Sequence, residues 1–249
     1  MAFAVRNALT QKKKDSVIQV YNWQYVYAVR VWAKLLSQTV DRFSKDKNDA
    51  LRPLLYPLIQ TTIGALKLVP TAKYFPLRFH LVRALVQIGE STGVYIHVSG
   101  FILDTLESAE MKRNAKPSSG KPIFFDNMLK CPKSHIDTKH FQDAVLNQVI
   151  ELALGFYSSI AYSIGFPECV FPDLVRLRKF MKQSKAKSVK GKLRPLIEKL
   201  DENSHFITTE RSSVTFSPKD WEQVQQWRMV LETGGKSPLA RYCKVWRAA

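Results

Sequence analysis

Over residues 51–107 the chain keeps returning to one pattern, an apolar stretch of helical period opened or closed by a proline. Pro53 falls in the first turn of a helix expected over about 50–68, where a missing N–H leaves no bond unmade. Pro57 predicts a kink within that helix, and Pro70 stops it. Pro76 opens the next helix from a first-turn position that favours proline, and Thr92-Gly93 ends it. Leu77, Leu81, Ala84, Leu85 and Ile88 share one face of this helix, while Phe79, Val82 and Val86 share another. A shorter helix is expected over about 98–111. Helices apolar on two sides, with almost no candidate catalytic group among them, are helices that stack on one another. This is the pattern of a scaffold.

The flanks carry the same period. Val20, Trp23, Tyr27, Val31 and Leu35 form one stripe of a helix expected over about 16–43, and Tyr25, Val29, Trp32, Leu36 and Val40 form a second. Two stripes predict a helix buried between neighbours. Lys45, Asp46, Lys47, Asn48 and Asp49 then read as a turn. Residues 112–138 break the period with linker composition, Lys116-Pro117-Ser118-Ser119-Gly120-Lys121-Pro122, though Ile123-Phe124-Phe125-Asp126 is apolar enough to dock on the helices in extended form. Periodicity resumes over about 139–164, where Phe141, Val145, Val149, Leu152, Phe156 and Ile160 make one stripe. Further helices are expected over about 170–183 and 193–203, with a lysine-rich hinge between them. Residues 206–216, rich in Thr, Ser and Val, read as a small hairpin or an extended loop. Ser217-Pro218-Lys219-Asp220 reads as the capped start of a last long helix.

The expected fold class is therefore all-α, a HEAT-like α-solenoid of stacked helix pairs. N-terminal helical repeats over 1–111 and C-terminal repeats over 139–249 join through a linker at 112–138 to make one continuous solenoid. Two internal echoes support a repeat: Leu51-Arg52-Pro53-Leu54 returns as Leu193-Arg194-Pro195-Leu196, and Phe75-Pro76 before Leu81 resembles Phe171-Pro172 before Leu177. Each helix pair takes about 40–45 residues, the period of such arrays.

Charge supplies the functional lead. With 38 Lys and Arg against 21 Asp and Glu, the formal net charge is +17, which favours polyanionic partners. Lys182, Lys185, Lys187, Lys190, Lys192 and Arg194 crowd into one stretch read as flexible, where lysines neutralise phosphates without reading bases. The bland alternative is a solvated hinge. Lys12, Lys13 and Lys14 form a smaller cluster open to the same two readings.

Other motifs weigh less. Cys131, His135 and His140, with Cys169 far along the chain, match no closed four-ligand zinc site, so no metal or cofactor is expected. Gly234-Gly235-Lys236-Ser237 is similar to the end of a phosphate-binding loop, but Val230 stands where the first glycine belongs, and a helix cap and turn explains it more simply. Trp23, Tyr25, Tyr27 and Trp32 at helical spacing are read mainly as core, with some left to meet a partner protein. Asp104 and Glu107 are read as an exposed helix face. The 3 cysteines imply no disulfide framework, and the longest uncharged apolar run, 152–167, is too short and polar to span a bilayer. An intracellular, soluble, reduced protein without enzymatic activity is expected.

The quoted motifs also carry a family likeness. Leu51-Arg52-Pro53-Leu54-Leu55-Tyr56-Pro57-Leu58-Ile59-Gln60, followed by Val69-Pro70-Thr71-Ala72-Lys73-Tyr74-Phe75-Pro76-Leu77-Arg78-Phe79-His80-Leu81, closely resembles the nucleolar complex protein 2 family. Tyr21-Asn22-Trp23-Gln24 and Phe171-Pro172-Asp173-Leu174 resemble flanking segments of that family, while His97 stands where the family pattern has proline. The resemblance implies a nuclear and nucleolar, HEAT-like assembly factor of the large ribosomal subunit. It would act on pre-60S particles as a heterodimer with other nucleolar complex proteins and touch pre-ribosomal RNA. It implies no membrane and no small-molecule substrate. Family members usually have a longer N-terminal half and charged tails, so the chain is expected to be a short form or core fragment. A chromatin-associated transcription regulator binding histones or transcription factors is the alternative.

Overall fold

The computed structural model describes residues 1–40, 50–117, 122–184 and 187–248, with the side chains of residues 187 and 188 outside the description. The turn expected at Lys45–Asp49 and the linker residues 118–121 lie outside the described residues. Thirteen α-helices and three short 3-10 turns, with no strand among the described residues, make the fold all-α, as the periodicity predicts. The chain divides into two compact units, Met1–Leu152 and Ala153–Ala249.

The first unit contains α1 (Ala2–Gln11), α2 (Lys14–Ile18), α3 (Trp23–Thr39), α4 (Leu55–Leu68), α5 (Phe75–Thr92), α6 (Ser99–Leu106), α7 (Ala109–Lys112) and α8 (Lys133–Ile136). It also takes most of α9 (Lys139–Ser159). Helix α5 is its centre. Both expected apolar faces are buried, from Phe75, Leu77, Phe79 and Leu81 to Leu85, Val86 and Ile88. Gly93, at φ 70°, closes α5 in the left-handed conformation glycine adopts freely.

Helix α3 lies against α5 and α4. Trp23 approaches His80 at 5.3 Å between ring centroids, and Ser37 Oγ lies 3.5 Å from the Gln87 carbonyl, so α3 and α5 advance in the same sense. The helix expected over 16–43 is split: the chain turns at Tyr21-Asn22, and Asn22 Oδ1 caps α3 by accepting from the Tyr25 N–H at 2.8 Å. Tyr21 anchors the turn, donating to the Ala65 carbonyl and accepting from the Val69 N–H, while burial pushes its hydroxyl up to about 12.

Residues 112–138 fall within the first unit. Phe125, in a 3-10 turn, is buried, stacks on Phe79 at 5.8 Å and meets Phe141 edge-on, whereas Phe124 points outward. The expected docking of this segment thus rests on one ring.

The second unit contains the end of α9, α10 (Phe166–Gln183), α11 (Lys187–Ser212), α12 (Trp221–Gly234) and α13 (Pro238–Ala248). Arg178 pairs with Asp201 near one end of α10, and Glu168 pairs with Arg211 near the other, the register of an antiparallel hairpin with α11.

The hairpin or loop expected over 206–216 is corrected by the structure, in which α11 continues to Ser212. Burial of Ile207 holds the helix through its poor helix formers, whose hydroxyls bond back one turn, Thr208 to the Ser204 carbonyl and Thr209 to the His205 carbonyl.

Helix α13 escaped the periodicity. Ser237, buried, caps it by accepting from the Ala240 N–H at 3.0 Å and donates to Asn203 Oδ1 at 2.6 Å. Gly235, at φ 60°, closes α12. The cap-and-turn reading of Gly234-Gly235-Lys236-Ser237 is therefore correct.

Candidate functional site

Among its described residues the lysine-rich stretch is mostly helical, where a flexible hinge is expected from the sequence. Helix α10 extends through Lys182 and Gln183, and α11 begins at Lys187, so Lys182, Lys190, Lys192 and Arg194 stand on helices. Lysine and arginine are good helix formers. Pro195 has no N–H for the Gly191 carbonyl, yet the helix runs through both residues.

The antiparallel hairpin brings Lys182 from α10 beside Lys190 and Arg194 from α11 around one open groove of about 510 Å³. Met181, Ile197 and Gly191 complete its lining, with Glu198 as the single carboxylate. Glu198 Oε1 accepts from Arg194 Nε at 2.8 Å, and this bond and charge raise the arginine's pKa. The two lysines are exposed, so the groove keeps a net positive charge.

The other candidates are spread more widely. Lys192 is exposed on α11 and does not line the groove. Lys185 lies outside the described residues, and Lys187 is placed only as the first residue of α11. Lys12, Lys13 and Lys14 are exposed at the turn between α1 and α2, in the first unit; Lys12 has φ 51° and closes α1.

Two exposed ammonium groups and one arginine around a groove have the charge that suits phosphate oxygens. Sequence found its cations but not its apolar floor, because Met181 and Ile197 meet only through the hairpin.

A second surface is apolar. Of the α3 aromatics, Tyr25 is buried, but Tyr27 is 54% and Trp32 39% exposed, with Val31 at 66% and Leu35 at 39% beside them. The expectation of two buried stripes is corrected here: α5 and α4 pack against α3, while Tyr27, Val31, Trp32 and Leu35 stay exposed. Trp23 stacks on Tyr27 at 5.4 Å and the Arg30 guanidinium lies 5.9 Å from the Tyr27 ring, which holds this aromatic edge in place. Together Tyr27, Val31, Trp32 and Leu35 form an exposed apolar edge on α3.

The cysteine and histidine candidates do not converge. Cys131 is buried with its thiol pushed up to about 11 by burial, and Cys169 is exposed. Among the described residues no group of three or more His, Cys, Asp or Glu is placed to hold a metal ion. No helix among them is long and apolar enough to cross a membrane.

The model of the Noc2p family matches residues 1–246 of the chain. The chain belongs to the Noc2p family. Nucleolar complex protein 2 of Drosophila melanogaster is 35% identical over 248 residues, which cover 99% of this chain and 32% of the fly protein. An uncharacterised NOC2 family protein of Schizosaccharomyces pombe is 36% identical over 244 residues, 97% of this chain and 34% of the relative. Nucleolar complex-associated protein 2 of Arabidopsis thaliana is 32% identical over 247 residues, 99% and 31% respectively. The chain thus spans about a third of the length of these relatives. Both surfaces lie within the matched region, so both belong to the part of the family this chain represents.

Proposed function

We propose that the chain is a non-enzymatic nucleolar assembly factor of the large ribosomal subunit. It acts as a HEAT-like scaffold that binds another nucleolar complex protein and rests on pre-ribosomal RNA within pre-60S particles. The observation that carries this reading is the groove of Lys182, Lys190 and Arg194 on a +17 chain of the Noc2p family. Its charge suits a phosphate backbone, which cations hold by position.

Two features support helix-pair stacking: the antiparallel α10–α11 hairpin, and the shared sense of α3 and α5. The exposed edge of Tyr27, Val31, Trp32 and Leu35 is the surface offered to the protein partner, where apolar and aromatic contacts dominate binding.

Gradient sedimentation of nuclear extract containing the tagged chain tests the reading. Co-migration with large precursor particles and with a nucleolar complex protein is the expected result. Chromatin association without such particles would overturn it in favour of a transcription regulator.

A further inference from the structure

Helix α13 belongs to neither the basic groove nor the α3 edge. Its buried stripe runs through Leu239, Ala240 and Cys243, and Trp246 is the next residue at that helical spacing. Leu239 and Cys243 are covered completely or almost so, yet Trp246 is 37% exposed and Val245 beside it 70%. The packing gives out along the helix before its largest side chain is covered.

Hydrogen bonds fix where this helix starts and where it heads. Ser237 ties its first turn to Asn203 of α11, whose amide donates to the Ala161 carbonyl at 2.9 Å. Farther along α13, Cys243 Sγ lies 3.8 Å from the carbonyl oxygen of Leu154, which precedes Ala161 in the chain. Arg211, later on α11, donates to the Ile164 carbonyl at 3.2 Å, so the chain before Ala161 lies toward the start of α11. Helix α13 therefore runs back toward the end of α11 that carries Lys190 and Arg194.

The charge of α13 is of one sign. It contains Arg241, Lys244 and Arg247 and no Asp or Glu. Lys244 is exposed, and Arg241 bonds a neutral acceptor, the Lys236 carbonyl, at 2.8 Å. An apolar protein surface would leave such cations unmatched, whereas a partly open indole among cations is what a single strand uses, stacking its bases while its backbone is held by charge. A duplex offers no free base face for stacking. We propose that α13 is a second contact for RNA and takes an unpaired stretch, with a base stacked on the Trp246 indole and the backbone drawn by the cations of the helix. The proposal rests on the RNA reading of the groove and names the class of RNA, single-stranded, that the chain takes.

Fluorescence anisotropy of the full chain with a labelled oligouridine tests it, with an RNA duplex as comparison. Trp246→Ala should weaken oligouridine binding about tenfold. Trp246→Phe keeps an aromatic ring and should stay within about threefold of the unaltered chain. Affinity for the duplex should change by less than about twofold in both variants. Neither substitution removes a charge, so the slope of log affinity against log salt should stay the same. Unchanged oligouridine affinity in Trp246→Ala, an equal loss on the duplex, or as large a loss in Trp246→Phe would each overturn the proposal and leave the groove reading standing. Loss of a nucleolar complex partner in a pull-down, with oligouridine affinity unchanged, would overturn it in favour of a protein contact. An unaltered chain that binds no RNA would overturn both readings.

Discussion

The Tyr157 hydroxyl donates to Asp173 Oδ2 at 3.0 Å, and with both side chains buried this bond ties the end of α9 to α10. It fixes the helix that carries Lys182 into the groove. Tyr157→Phe keeps the ring and leaves the buried Asp173 oxygen without this donor. Hydrogen bonds to charged groups contribute about 1.5–3 kcal/mol, so a destabilisation of about 2 kcal/mol is expected in urea denaturation. A change below about 0.5 kcal/mol would show the bond to be structurally idle.

The α3 edge separates binding from folding. Val31→Asp with Leu35→Asp places charges on exposed positions, so the stability change should stay within about 1 kcal/mol. Capture of a nucleolar complex partner should fall tenfold or more, by about 1.4 kcal/mol at the least. Unchanged capture in a pull-down would remove this edge from the interface.

His80 makes the first unit acid-sensitive. Burial lowers its pKa, and Arg83 and Arg30 add to that, against the Met128 carbonyl, which accepts from Nε2 at 3.3 Å, and Asp126. The folded value thus lies below the ordinary value of about 6.5, and between the two the unfolded chain binds the extra proton. Stability therefore rises with pH through this window and falls on acidification below about 6.5, by up to about 1.4 kcal/mol per pH unit. His80→Gln should flatten that part of the stability–pH curve measured by thermal melts from pH 7.5 to 5. An equal acid slope in the variant would contradict it.

What sequence made legible follows from how local each signal is. Helices α4 and α5 could be read because Pro70 and Pro76 mark the break between them and because α5 carries apolar residues on two faces. The exposed edge of α3 could not, since Val31 and Leu35 look the same as Val29 and Leu36 until the neighbour is known to lie on one side. The end of α11 was hidden by Thr208 and Thr209, whose hydroxyls satisfy themselves within the helix. Helix α13 is short, and its start depends on Ser237 meeting Asn203, a pairing far apart in sequence. Lys182, Lys190 and Arg194 were legible as neighbours along the chain, but their groove forms only when α10 and α11 fold back. Arg78, lying between Leu77 and Phe79, gives no local sign that it is buried.

The most direct test of the account is the salt dependence of RNA affinity. Removing one cation that neutralises a phosphate of single-stranded RNA should lower the slope of log affinity against log salt by about 0.7. Lys182→Ala, Lys190→Ala and Arg194→Ala together should therefore lower it by about 2 and weaken binding at low salt, with the thermal melt unchanged. A slope equal to that of the unaltered chain would contradict the assignment of RNA binding to this groove.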